Sequence, residues 1–150
     1  MELKLPPPLV ALLLCALMWS IDFLVPVGRV QAEGQAVIAL ALVCVGIGFS
    51  LSAMLVFREA RTTVDPRDPG KATQLVASGV YRLSRNPMYL GMLCTMTAWA
   101  VYLGSPWGLP LLPIYVWYIS RFQILPEEVA LHRLFGASYV AYCARVRRWI

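Results

Sequence analysis

The chain has 150 residues, of which 59% are hydrophobic and only 14% charged, with a mean hydropathy of +0.66 and a formal net charge of +5. A soluble domain runs nearer half apolar with about a quarter of its residues charged. So much apolar surface cannot be hidden in a core this small, and lipid is the expected solvent. The basic residues cluster in the middle and at the end of the sequence, which suits a membrane boundary better than a nucleic-acid groove.

Met1 to Pro8 is a short lead-in that ends in three prolines, residues tolerated where a helix starts because their missing N–H has no partner there. Leu9 to Pro26 is nearly all apolar and long enough to cross a bilayer, with Asp22 near its far end. A cleaved signal peptide needs a more basic start than Lys4 set against Glu2, and a small-x-small cleavage site, which does not follow; the segment is therefore read as retained. After a polar turn holding Arg29 and Glu33, Gln35 to Phe57 is an uncharged apolar run, the clearest spanning helix. Gly46 and Ser50 within it have the four-residue spacing that lets helices approach closely in lipid. The Gly46-Ile47-Gly48 triplet follows no strand, so it reads as packing rather than as a nucleotide loop.

Arg58 to Arg85 is polar, holds six basic residues, and contains strong turn chemistry in Asp65-Pro66-Arg67-Asp68-Pro69-Gly70. Pro87 to Leu103 is a third, shorter apolar run, followed by the turn Gly104 to Gly108 with an interfacial tryptophan, Trp107. Leu109 to Leu125 is a fourth run, with Arg121 near enough to its end to snorkel. Pro126-Glu127-Glu128 is then expected to open a last helix reaching the end of the sequence. Leu131, Phe135, Tyr139, Tyr142 and Val146 form one face of it, apt to lie against the membrane surface or under the bundle.

The expected fold is all-α: one membrane domain over 1–150, with about four transmembrane helices and an amphipathic cytosolic helix at the C-terminal end. Its parts are two N-terminal spans (1–57), a cytosolic loop (58–86), a helical hairpin (87–125) and a C-terminal helix on the cofactor side (126–150). With both termini inside, all 13 lysines and arginines except Arg29 fall on the cytosolic side. The four cysteines, Cys15, Cys44, Cys94 and Cys143, form no CxxC pair, and three sit in apolar runs where cysteine acts as a small hydrophobe. Neither a disulfide framework nor a metal site is indicated.

This topology brings Arg85 to Gly91 and Glu127-Glu128 to one side of the membrane. Each residue has a plain structural role available. Arg85 can anchor a span, Asn86 can cap the helix that Pro87 begins, and Tyr89 can join the interfacial aromatic belt. The two glutamates suit a helix N-terminus. Their convergence is the stronger signal. Glu127 continues the Leu131 stripe inward, whereas Glu128 is turned about 100° away, so Glu127 is the carboxylate expected to face a pocket and to suit an ammonium or sulfonium ligand. The lone His132 lies off the stripe and no nucleophile–base pair can be assembled from it.

Gly79-Val80-Tyr81-Arg82, Ser84-Arg85-Asn86-Pro87-Met88-Tyr89-Leu90-Gly91, Pro126-Glu127-Glu128 and Leu134-Phe135-Gly136-Ala137-Ser138-Tyr139-Val140-Ala141-Tyr142 resemble, in order and spacing, the isoprenylcysteine carboxyl methyltransferase and phospholipid methyltransferase superfamily. The resemblance covers roughly Leu75 to Ile150. It implies a short, bacterial-type, multi-pass inner-membrane methyltransferase that binds S-adenosyl-L-methionine from the cytosol without a Rossmann domain. Carried over residue by residue, the cofactor contacts are Thr73, Gln74, Leu75, Val76, Tyr81, Asn86, Pro87, Met88, Tyr89 and Glu127, with Arg85 and Glu127 as the catalytic pair. Asn86 stands where the eukaryotic prenylcysteine enzymes have histidine. Gln123 stands where they have an arginine that handles the substrate carboxylate; Arg121 is near it, and these two are the expected acceptor contacts.

The acceptor implied is a lipid or lipidated small molecule from the bilayer, methylated in the manner of an isoprenylcysteine carboxyl O-methyltransferase, with no metal and no nucleic acid. Phospholipid amine N-methylation is the alternative within enzymes, and a non-catalytic scaffold or transporter subunit the alternative from another class. A sterol-reductase activity requires a nicotinamide site for which no motif is present.

Overall fold

The computed structural model describes residues 5–60 and 74–150, and every regular element among them is helical. Helix α1 runs over Pro7–Leu24 and α2 over Gln35–Glu59. A 3-10 turn at Gly79–Arg82 leads to α3, Pro87–Leu103. A second 3-10 turn at Pro106–Gly108 precedes α4, Leu111–Ile119, and α5 covers Leu125–Arg145.

α1 and α2 are long and apolar enough to cross a membrane. Only 22% of the most apolar stretch of α1 and 11% of that of α2 is buried. The core helix of a soluble protein would be mostly covered, so these faces are built for lipid. α3 is apolar but shorter.

α2 and α3 form the tightest seam. A Cβ added to Gly46 would lie 2.6 Å from the Gly91 carbonyl oxygen, and one added to Gly91 would lie 2.5 Å from that of Gly46 and against the Ser50 hydroxyl. The Gly46/Ser50 spacing thus does what small residues do in lipid, letting two backbones touch. It also explains Gly91: the last residue of the Ser84–Gly91 stretch is there for contact between helices.

The main apolar cluster joins α1, α3 and α4 through Val10, Met18, Met96, Leu111, Tyr115 and Ile119. At the far end of α1, buried Asp22 receives Arg29 in a bidentate pair, Nε to Oδ1 and Nη2 to Oδ2, each at 2.7 Å, and Arg29 also donates to the Asp22 carbonyl at 2.9 Å. The acidic break in the first apolar run is therefore a staple for the turn that follows. Asp22→Asn should cost on the order of 1–2 kcal/mol of stability, read as a lower thermal midpoint in detergent, with Arg29→Met giving a similar loss.

Two boundaries differ from the sequence expectation. The last helix does not begin afresh at Pro126: α4 passes through a π-turn at Ser120–Ile124 straight into α5. A proline clashes with the carbonyl four residues back, here Phe122, and a π-turn widens the helix at that point. Nor does the helix reach the end of the sequence. Gly136 leaves helical geometry (φ 50°, ψ −122°), α5 stops at Arg145, and Val146 is extended (φ −125°, ψ 130°). The stripe still holds together: Tyr139, Tyr142 and Val146 are buried as one cluster with Leu131 and Phe135 against it.

Candidate functional site

Residues 74–78, which lead into the Gly79–Arg82 turn, send their side chains to two different clusters. Leu75 and Ala77 pack on the α5 stripe, whereas Val76 is buried with Ala53 of α2 and with Tyr81. Tyr81, in the 3-10 turn, meets Phe57 edge-on with ring centroids 5.3 Å apart. Its carbonyl accepts a hydrogen bond from the Tyr142 hydroxyl at 2.7 Å. This bond ties the Gly79–Arg82 turn to α5 and fixes the approach to α3.

Pro87 stands in the first turn of α3, where its missing N–H costs nothing. Asn86 occupies the N-cap position, but its side chain makes no capping bond. Its amide instead donates to the Arg148 carbonyl at 2.9 Å, while the Ser84 hydroxyl accepts from the Asn86 backbone N–H at 3.1 Å. The capping role expected from the sequence is thus replaced by a long-range contact with the tail.

One turn further, the Tyr89 hydroxyl donates to Glu127 Oε1 at 2.6 Å. This is the short, charge-assisted bond expected between phenol and carboxylate. Burial pushes the Glu127 carboxyl up to about 7; the Tyr89 bond opposes that rise and the neighbouring Glu128 adds to it. Near neutral pH, Glu127 therefore exists as a mixture of carboxyl and carboxylate, so a bound cation can draw it fully into the charged form.

Glu128 is turned away from Tyr89, as the helical register requires, but it is engaged. It receives Arg148 in a bidentate pair at 3.0 and 2.7 Å and Arg85 at 3.1 Å. Arg85 also donates Nη1 to Cys143 Sγ at 2.7 Å, and its Nε is buried with no acceptor among the described residues. A buried guanidinium N–H without a partner is costly. It marks a place where an acceptor atom of a ligand would be welcome.

The structure therefore gathers Tyr81, Asn86, Pro87, Met88 and Tyr89 with Arg85 and Glu127 around the start of α3 and the first turn of α5. Leu75 and Val76 lie behind them as packing, Gln74 is exposed, and Thr73 lies outside the described residues. The two residues expected to meet the acceptor have contacts of their own. Arg121 is exposed, with its guanidinium 5.7 Å from the Phe122 ring centroid. Gln123 is buried and donates to the Leu5 carbonyl at 2.8 Å, joining the π-turn to the start of α1. Glu128, Cys143 and Arg148 carry no spacing signal of their own beyond the doubled glutamate, and Tyr142 was legible only as part of the apolar stripe. Among the described residues no group of three or more His, Cys, Asp or Glu side chains is placed to hold a metal ion.

Two motif blocks thus close on each other through Tyr89 and Glu127, which are 38 positions apart in sequence. Residues 35–138 match the family model described as phospholipid methyltransferase, which is more than half of the chain. The chain belongs to the phospholipid methyltransferase family.

Its similarities to individual proteins are consistent with this. It is 36% identical over 72 residues to protein-S-isoprenylcysteine O-methyltransferase A of Arabidopsis thaliana, a match covering 48% of this chain and 36% of that one. It is 28% identical over 108 residues to the protein-S-isoprenylcysteine O-methyltransferase of Schizosaccharomyces pombe, covering 72% of this chain and 46% of that one. A Haemophilus influenzae protein of uncharacterized function is 38% identical over 63 residues, which are 42% of this chain and the whole of that one. The matches thus span less than half the length of these two named methyltransferases. No solved structure matches the chain.

Proposed function

We propose that the chain is an integral-membrane, S-adenosyl-L-methionine-dependent methyltransferase acting on a lipid or lipidated small-molecule acceptor, in the manner of an isoprenylcysteine carboxyl O-methyltransferase. The observation that carries this reading is the Tyr89–Glu127 pair, with Arg85, earlier in the same stretch, keeping an Nε that has no acceptor among the described residues. A cation and an anion on one ligand suit that arrangement: Glu127 for the sulfonium or ammonium, Arg85 for a carboxylate.

The cofactor, when bound, supplies a methyl group already activated by the sulfonium charge, so the protein's task is alignment rather than proton chemistry. A carboxylate acceptor needs no general base, which agrees with a site built from phenols, an arginine and carboxylates. Tyr89 holds the Glu127 carboxylate, and Tyr142 holds the turn that carries Tyr81. The acceptor's apolar part has a candidate berth nearby. An open groove of about 640 Å³ runs between α2 and the Gly79–Arg82 turn, lined by Phe49, Ser52, Leu55, Val56, Val80 and Leu83. Its walls are apolar and its volume suits an alkyl or isoprenoid chain. With both termini cytosolic, the site and this groove lie on the cytosolic side of the bacterial inner membrane, and the chain crosses it about four times.

The test is transfer of labelled methyl groups from S-adenosylmethionine to extracted membrane lipids by the purified protein, followed by mass spectrometry. A product that loses its label in mild base is a methyl ester, as this reading expects. A base-stable product is an N-methyl lipid, the outcome favoured by the phospholipid methyltransferase family description. Label transfer to neither, with no cofactor binding, returns the chain to a scaffold or transporter role.

A further inference from the structure

The tail beyond α5 is the least explained part of the molecule. Arg145 is the last helical residue, and the extended backbone at Val146 leads the chain to the Ser84–Asn86 stretch. Two successive carbonyls then take three donors from the Ser84–Asn86 stretch. The Arg85 backbone N–H donates to the Arg147 carbonyl at 3.0 Å, and the Asn86 amide and Ser84 hydroxyl donate to the Arg148 carbonyl at 2.9 and 3.4 Å. The side chains of the tail reach the other wall. Arg148 grips Glu128, and the Trp149 indole N–H donates to the Ser120 hydroxyl in the π-turn at 3.3 Å.

The tail therefore spans from the start of α3 to the α4–α5 junction, the two walls that the Tyr89–Glu127 pair joins. Its hold is uneven. Val146 is buried and Arg148 is fixed by two bonds to Glu128, whereas Arg147 and Ile150 are exposed and the outer end is held by the packing of Trp149 on the main apolar cluster and one indole–hydroxyl bond of marginal length. The Asn86 amide, which the family pattern directs toward a ligand, is meanwhile committed to a tail carbonyl.

We propose that residues Val146–Trp149 form a latch over the cofactor side of the site, which must lift for S-adenosylmethionine to enter and for the demethylated product to leave. This rests on the cofactor reading above. The Trp149–Ser120 bond is the release point, since breaking it frees the outer end while the carbonyl contacts at Ser84–Asn86 act as the hinge side. Glu128 sets the strength of the closed state because it also holds Arg85, so a lifted latch leaves Arg85 paired and the site intact.

The experiment measures association and dissociation rates of tritiated S-adenosylmethionine with the intact protein in nanodiscs, for wild type, Trp149→Phe and Ser120→Ala. Trp149→Phe keeps the ring and removes only the N–H donor; Ser120→Ala removes the same bond from the other side. Both should raise the association rate about threefold or more and the dissociation rate at least as much, and the double variant should add nothing further. In ligand-free protein, both should also speed hydrogen exchange of the segment around Arg85 while leaving the middle of α3 protected. A brace that never opens for the ligand gives unchanged or slower association in both variants, and that result overturns the latch. If wild type itself binds no cofactor, the functional reading fails and the latch with it; if wild type binds and the variants associate no faster, only the latch fails.

Discussion

Glu127→Gln should weaken S-adenosylmethionine binding at pH 8 by roughly 10- to 100-fold, the usual worth of a hydrogen-bonded charge in a buried site. The reason is local. Glu127 is the carboxylate fixed by the Tyr89 hydroxyl at 2.6 Å, and burial has lifted its pKa to about 7. A cationic ligand binds the carboxylate form, so wild-type affinity should rise as pH climbs from about 6 to 8. At pH 6 the wild-type side chain is mostly neutral, and the gap to the glutamine variant should shrink.

Tyr89→Phe removes the bond that opposes the rise, which should move the wild-type midpoint upward. S-adenosylhomocysteine, which lacks the sulfonium charge, separates two placements of the carboxylate. Equal pH dependence for both ligands assigns Glu127 to the ammonium; a steeper dependence for S-adenosylmethionine assigns it to the sulfonium.

The same shift has a consequence for stability. A carboxyl whose pKa is raised on folding favours the folded protein most below its unfolded value of 4.5. That contribution is lost as pH rises from 4.5 through about 7 and does not return above it. Glu127→Gln should flatten this part of the stability profile, making the ligand-free variant more stable than wild type at pH 8 although it binds worse. A residue kept for packing alone would not combine a gain in stability with a loss of binding.

The second large effect lies in the α2–α3 seam. Gly91→Ala should destabilise the protein by about 2–3 kcal/mol, because its new methyl would sit 2.5 Å from the Gly46 carbonyl oxygen. Gly46→Ala should cost about as much from the other side, with its methyl 2.6 Å from the Gly91 carbonyl oxygen. Gly48 is the internal control: a Cβ there meets nothing within 4 Å, so Gly48→Ala should be neutral or mildly stabilising through helix propensity. Thermal unfolding in detergent orders the three. Gly91→Ala should also impair cofactor binding, since Tyr89 lies two residues away on the same helix and shifts with it.

These residues also indicate how far the sequence could be read. Gly46 and Ser50 declared a helix contact because small residues four apart have few other uses in lipid. The separation of Glu127 from Glu128 followed from helical register alone, and the structure turns one to Tyr89 and the other to Arg85 and Arg148. Both features are local or periodic.

What could not be read depends on distant partners. The π-turn before Pro126 leaves no spacing signal, since an extra residue in one helical turn does not change the apolar pattern enough to see. The reversal at Val146 is stabilised by carbonyls meeting donors about sixty residues earlier, and nothing in the tail's own sequence announces it. Asn86 was legible as a helix start but not as the residue that binds Arg148. Gln123 was placed toward the acceptor by resemblance, yet its amide is used to hold Leu5.

The central claim is that Tyr89, Glu127 and Arg85 bind S-adenosylmethionine at the membrane boundary. Titration calorimetry of the intact protein in nanodiscs, repeated at pH 7 in two buffers of different ionisation enthalpy, tests it most directly. Micromolar binding with release of a fraction of a proton per site is predicted, as the partly protonated Glu127 becomes fully ionised, and the release should vanish in Glu127→Gln. Absence of binding, or binding whose affinity and proton release are the same in wild type and Glu127→Gln, would contradict it.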